Sequence, residues 1–231
     1  MEQKSRGKLI VIDGTDGSGK KTQTQLLLDR LKQDGHNVAS IAFPQYGEKS
    51  AGMVENYLNG KYGPPDALNP YIASLFYAID RFDLSGIIRD TLHQGTHIIT
   101  DRYVDANAGH QGGKFLDPKE REQYLTWLYD TEYRIFGIPK PDLVLILHLP
   151  AEMGQELVKK KQQRLYIEGG KTMDGHENNL KHLKAAENSY LWLMERFPED
   201  HRLVECMDGD NLLSPEKIHQ KVWEAIKPVL P

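Results

Sequence analysis

A chain of 231 residues, 39% hydrophobic and 27% charged, is long enough for one large domain with a buried core and too apolar for disorder. Its 29 basic and 33 acidic side chains leave a net charge of −4, a field that recruits neither nucleic acid nor an anionic membrane. The single Cys206 excludes an internal disulfide and a cysteine-rich zinc site, and the opening MEQKSRGK carries no apolar leader, so a reducing, cytoplasmic location is the expectation.

The first aliphatic run, Lys8–Asp13, reads as a buried strand that passes through a glycine-rich turn into helical spacing over Lys20–Gln33. A second strand is expected at Val38–Phe43, a Gly/Pro-rich loop at 59–66 and a long helix at Pro70–His93. His97–Asp101 reads as the third strand, Pro118–Phe136 as a helix and Asp142–Leu149 as the fourth strand. That fourth run holds the longest apolar stretch, is interrupted by His148 and falls far short of the ~20 residues that span a bilayer. Helices at Ala151–Gln163, Asn178–Arg196 and Pro215–Lys227 surround a last strand at Arg202–Glu205. The alternation predicts an α/β fold, a three-layer parallel sheet with helices on both faces and ligands beyond the carboxyl ends of the strands. No repeat or linker divides the chain, so a single domain over 1–231 is expected, with a short lid at about 160–177. There Lys159, Lys160, Lys161 and Arg164 precede EGGKTMDG, where Gly169 and Gly170 offer a hinge; taken alone, the same stretch is a solvated helix and a surface loop.

The chemistry concentrates in LIVIDGTDGSGKKTQ, where a strand runs into Gly14, four residues, then Gly19-Lys20 at the mouth of a helix. This is the context of a phosphate-binding P-loop: glycines let successive N–H groups and the positive helix end face a phosphate, and the lysine adds a mobile charge. Gly14, Thr15, Asp16, Gly17, Ser18, Gly19, Lys20, Lys21 and Thr22 form the expected nucleotide cradle. Lys21 stands where such loops carry the Ser or Thr whose hydroxyl reaches Mg²⁺, and Thr22 comes one residue late. Asp16 is the substitute carboxylate for the metal, though Asp-Gly is equally a turn pair. No Asn-Lys pair is present to read guanine, the glycine spacing is wrong for a dinucleotide site, and His176-Glu177 lacks the second histidine of a zinc motif. An ATP-type phosphoryl-transfer enzyme or a nucleotide-binding switch remains.

Beyond the P-loop, Phe43-Pro44-Gln45-Tyr46, SLFYAIDRFD (74–83), TDRYVDANAGHQGG (100–113) and the lid-like stretch ending in DGHE (174–177) follow in order over most of the chain. In these motifs and their spacing the chain resembles the thymidylate kinase family. The resemblance implies a P-loop nucleoside-monophosphate-kinase-like fold that moves the γ-phosphate of ATP to dTMP, with Mg²⁺ bridging the donor phosphates, in a homodimer. It implies that thymine stacks on Phe76, that Arg81 reaches a base carbonyl, that Asn107 reads the base edge and that Arg102 holds the monophosphate. Without the family, Phe76 is a core aromatic, Asn107 a turn residue and Asp101-Arg102 a salt bridge at a sheet edge. Phe43 and Tyr46 belong to the substrate wall, His110 and Gln111 lie near the deoxyribose and His176 beside the substrate. Asp101 and Glu177 join Asp16 as candidate metal groups. Gln45 replaces the arginine usual after Phe-Pro, with Tyr46 as a partial stand-in, and Asp16-Gly17-Ser18 holds no arginine. The lid must then supply the catalytic positive charge, and Arg164 is its natural source, beside Lys160 and Lys171. The alternatives are a kinase for another pyrimidine nucleotide or nucleoside, or a catalytically silent nucleotide sensor.

Overall fold

The computed structural model describes residues 5–64, 67–167 and 179–230, apart from the side chains of 161–167. Five strands, β1 (Leu9–Asp13), β2 (Val38–Ala42), β3 (His97–Asp101), β4 (Leu143–His148) and β5 (His201–Glu205), form one parallel sheet in the order β2-β3-β1-β4-β5. β1 is central and covered on both faces, which is why all of LIVID is buried. Its register pairs Ile12 with Asp101 and Asp13 with Ile146, so Asp13 and Asp101 finish on the same edge of the sheet.

Successive strand residues face opposite ways, and the aliphatics therefore sort into two cores. Eight helices are described: α1 (Lys20–Gln33), α2 (Gly52–Leu58), α3 (Pro70–His93), α4 (Val104–His110), α5 (Pro118–Tyr129), α6 (Ala151–Ile167), α7 (Leu180–Arg196) and α8 (Pro215–Ile226). Leu9, Val11, Ile98, Val144 and Ile146 pack against α3, α4, α5 and α7 through Ile88, Ala108, Leu125 and Leu193. Ile10, Ile12, Ile99 and Leu145 pack against α1 and α8 through Leu27, Leu31 and Val222, and α6 adds Met153 and Leu157. The expected three layers are present.

Helix starts were legible where local chemistry marks them. Asn69 and Asp117 accept from Tyr71 N (2.9 Å) and Lys119 N (2.7 Å), with Pro70 and Pro118 at the first helical position. The expected helix over Pro118–Phe136 instead changes form after Tyr129: Asp130–Ile135 is a π-helical turn. α6 runs on to Ile167 rather than ending at Gln163, because no glycine or proline interrupts residues 161–167. Residues 160–167 of the expected lid are therefore helix, and 168–178 lie outside the described residues.

Candidate functional site

α1 begins behind Gly19, in a left-handed conformation at φ 90°, and no side chain caps it. Its first N–H groups thus face the loop Gly14–Gly19 with a partial positive charge, an arrangement that suits phosphate. Lys20 Nζ folds over that loop, donating to Gly14 O (3.1 Å) and Thr15 O (2.9 Å). Burial and the nearby Arg102 lower its pKa. Thr15 Oγ1 and Ser18 Oγ are buried and make no hydrogen bond among the described residues, whereas Lys21 and Thr22 are exposed. The loop also touches α6 backbone to backbone. At Gly17, with φ 86°, a Cβ would lie 2.3 Å from Gly154 O, and a Cβ on Gly154 would lie 2.6 Å from Asp16 O.

Arg102 follows β3 and is the one non-glycine residue with positive φ (66°) among those described. Such a backbone costs of order 1 kcal/mol and persists where its surroundings hold it. Its amide donates to Ile12 O (3.0 Å), and its guanidinium engages the Asp16 carboxylate and His110 Nε2 (2.9 Å). A guanidinium only donates, so His110 Nε2 accepts, its proton sits on Nδ1, and Nδ1–H donates to His182 Nε2 at 3.3 Å. Burial and the Arg102 charge hold His110 well below its ordinary pKa, which keeps that ring neutral. Burial alone would raise Asp16; the charges of Arg102 and Lys20 outweigh it and keep the carboxylate ionised. Asp13 differs. Burial pushes it up to about 6 against Arg102 and Lys20, while Gly14 N and Tyr190 O–H both donate to its Oδ1 at 2.8 Å.

The residues expected to read the base come together around an acid that the motifs do not name. Arg81 is 1% exposed, and its Nε and Nη2 both donate to Glu132 at 2.6 Å. Glu132 was missed because the segment around it reads as ordinary amphipathic helix, although an acid on the stripe of Leu125 and Leu128 was its visible signal. Asn107 Nδ2 donates to Ser74 O (3.1 Å) and Glu132 Oε1 (3.4 Å), so Asn107 does meet Arg81, through Glu132. Phe76 is half-buried against the rings of Tyr57 (6.4 Å) and Tyr62 (5.5 Å). Helical spacing puts Tyr77, one turn before Arg81, on the arginine's face instead.

Phe43, expected at the substrate wall, is buried in the core beside Tyr103, where Phe-Pro leaves β2. Gln45, which stands in place of the family's arginine, is tied to Asp80, which accepts from its backbone N (2.9 Å) and its Nε2 (3.1 Å). Tyr46 is exposed, and Gln111 is buried with Oε1 unpartnered among the described residues. Arg164 lies in α6 with its side chain outside the described residues, as are Lys171, His176 and Glu177 entirely.

Among the described residues no group of three or more His, Cys, Asp or Glu is arranged to hold a metal. Of the candidate metal groups, Asp16 is engaged by Arg102, while Asp101 Oδ1, like Asp13 Oδ2, is buried without a hydrogen bond. These hard oxygen donors beside Lys20 suit Mg²⁺ that brings most of its ligands as phosphates and waters.

The thymidylate kinase family model matches residues 12–205, which include the P-loop, Arg102, Asn107 and Glu132. The chain belongs to the thymidylate kinase family. The thymidylate kinase of Mycobacterium tuberculosis is 30% identical over 74% of this chain and 78% of its own length. A probable thymidylate kinase of Thermococcus onnurineus is 31% identical over 92% and 94%. The structure of thymidylate kinase from Candida albicans superposes with a TM-score of 0.74 at 27% identity, covering 96% of this chain and 92% of that one. Against this family background, Gly154, His182 and Tyr190 are additions that the motifs do not name, each placed by α6 or α7 against the P-loop end of the sheet. No helix of this family member, among its described residues, is long and apolar enough to cross a membrane.

Proposed function

We propose that this thymidylate kinase family member transfers the γ-phosphoryl group of ATP to dTMP, giving dTDP and ADP. The observation that carries this is Arg102, held by Asp16 and His110 beside the uncapped start of α1 and Lys20. One element receives the donor phosphates and the other the acceptor phosphate, so an oxygen of dTMP meets the γ-phosphorus in line as the bond to the β-bridging oxygen breaks. The acceptor is already ionised near neutral pH, and no strong general base is needed; positioning and charge neutralisation suffice. Mg²⁺ held by the donor phosphates, with Asp101 and Asp13 oxygens near its shell, would neutralise charge that Lys20 alone leaves. Arg164 on α6 is the proposed transition-state arginine of a lid at about 160–177, in a chain read as a single domain.

A homodimer through α3 accounts for its exposed apolar side chains Ile72, Ile79 and Phe82, a surface that a monomer would leave in water. A coupled ADP-release assay over dTMP, dUMP, dCMP and nucleosides tests the function. Turnover with dTMP is expected and its absence refutes the reading. Arg164→Ala should lower kcat by about 10³-fold or more with dTMP affinity nearly kept.

A further inference from the structure

We propose that Glu132 is the positioning residue that makes this site select a thymine-type base edge, by fixing both Arg81 and the amide of Asn107. The inference rests on the reading of Arg81 and Asn107 as base readers and adds the group that sets their polarity.

Two acceptors that cannot donate face one end of the Asn107 amide: the Ser74 carbonyl at 3.1 Å and the Glu132 carboxylate at 3.4 Å. Only the NH₂ end fits there, so Oδ1 is turned away and makes no hydrogen bond among the described residues. The same carboxylate takes Nε and Nη2 of Arg81, leaving Nη1 as the donor without a partner among the described residues. One buried carboxylate therefore leaves one acceptor and one donor. Thymine and uracil offer the matching pair, an N–H at position 3 and a carbonyl at position 4. Cytosine reverses both, setting lone pair against Oδ1 and an amino group against Nη1.

Stability gives a poor reason for this arrangement. A fully buried ion pair is on average no better than apolar packing, because desolvation offsets the attraction. Burial works against the Arg81 charge, and Glu132 outweighs it to hold the guanidinium protonated. Glu132 also sits in the π-helical turn Asp130–Ile135, a geometry that is rare and collects at functional sites.

The test is kcat/KM for dTMP and dCMP in wild type, Glu132→Gln, Glu132→Asp and Asn107→Ala, with the KM for ATP measured alongside. Gln at 132 places an NH₂ among donors and frees the Asn107 amide to turn; Asp keeps the charge but is one methylene too short to serve both partners. In both, the dTMP/dCMP ratio should fall by about tenfold or more through a higher KM for dTMP, with the KM for ATP unchanged. Glu132→Asp keeps the measurement open if loss of the charge unfolds Glu132→Gln. A wild-type ratio in a Glu132 variant that retains its KM for ATP overturns the positioning role. If Asn107→Ala also keeps the wild-type ratio, the base-reading assignment falls and the proposal with it; if Asn107→Ala lowers the ratio, only the role of Glu132 is lost.

Discussion

Two buried charge clusters share the short helix α4 and its lead-in, and they are finished in opposite ways. At the ends of β1 and β3, Arg102 carries a left-handed backbone, and Asp13 Oδ2, Thr15 Oγ1, Ser18 Oγ and Asp101 Oδ1 are buried without partners among the described residues. At Asp105, three residues on, every polar contact closes: Tyr129 O–H donates to Oδ1, and His201 Nε2 bonds Oδ2 at 3.0 Å while its Nδ1 reaches Asp200 at 2.6 Å. A protein normally satisfies its buried polar atoms, so the first cluster is arranged for something that arrives and the second for the fold itself.

Four measurements test that contrast. The largest effect is expected for Asp105→Ala, which takes the buried carboxylate from the protonated His201, leaves it Asp200 alone and strands the Tyr129 hydroxyl, and should cost about 3–5 kcal/mol in urea unfolding. Specific activity of the folded fraction should stay near wild type, and loss of activity without loss of stability would dissolve the distinction. Lys20→Ala should show the converse, a fall in kcat of about 10²-fold, near 3 kcal/mol, with an unchanged unfolding midpoint.

The pH dependence separates the clusters again. Burial disfavours the charged His201, but Asp105 and Asp200 outweigh it and raise its pKa to about 9. A folded value above the unfolded ~6.5 means the stabilisation is complete below pH 6.5 and is lost as pH rises through about 9, by up to roughly 3 kcal/mol. Chemical denaturation at pH 6, 7.5 and 9.5 should show that loss in wild type and a flatter profile in His201→Gln. The smallest effect is expected from Gly154→Ala. Its Cβ would lie 2.6 Å from Asp16 O, too close for the loop backbone to stay where it is, and moving it should cost about 1–3 kcal/mol. A larger KM for ATP than for dTMP would place that strain on the donor side.

What was legible in the sequence follows from how local each signal is. The covered strands β1, β3 and β4 lie within one residue of their expected bounds, because a strand buried on both faces must be largely apolar throughout. The P-loop was legible because its glycines and lysine are contiguous, and helix starts because Asn69, Asp117 and the prolines act within one turn. The π-helical turn after Tyr129 was not legible: its residues read as ordinary helix formers, and nothing local marks the change.

Sequence alone therefore determined the alternation of strands and helices, the phosphate loop and the family motifs, all of which depend on residues within a turn or two of each other. Only the tertiary structure decided what those residues do to one another. Arg81 meets Glu132 across 51 positions, His110 meets His182 across 72, and Asp13 meets Tyr190 across 177. Each partner is chosen by how α3, α4, α7 and α5 with its π-helical turn pack on one face of the sheet. The direction of a buried donor or acceptor is set by the groups that surround it in space, and spacing along the chain carries no record of them.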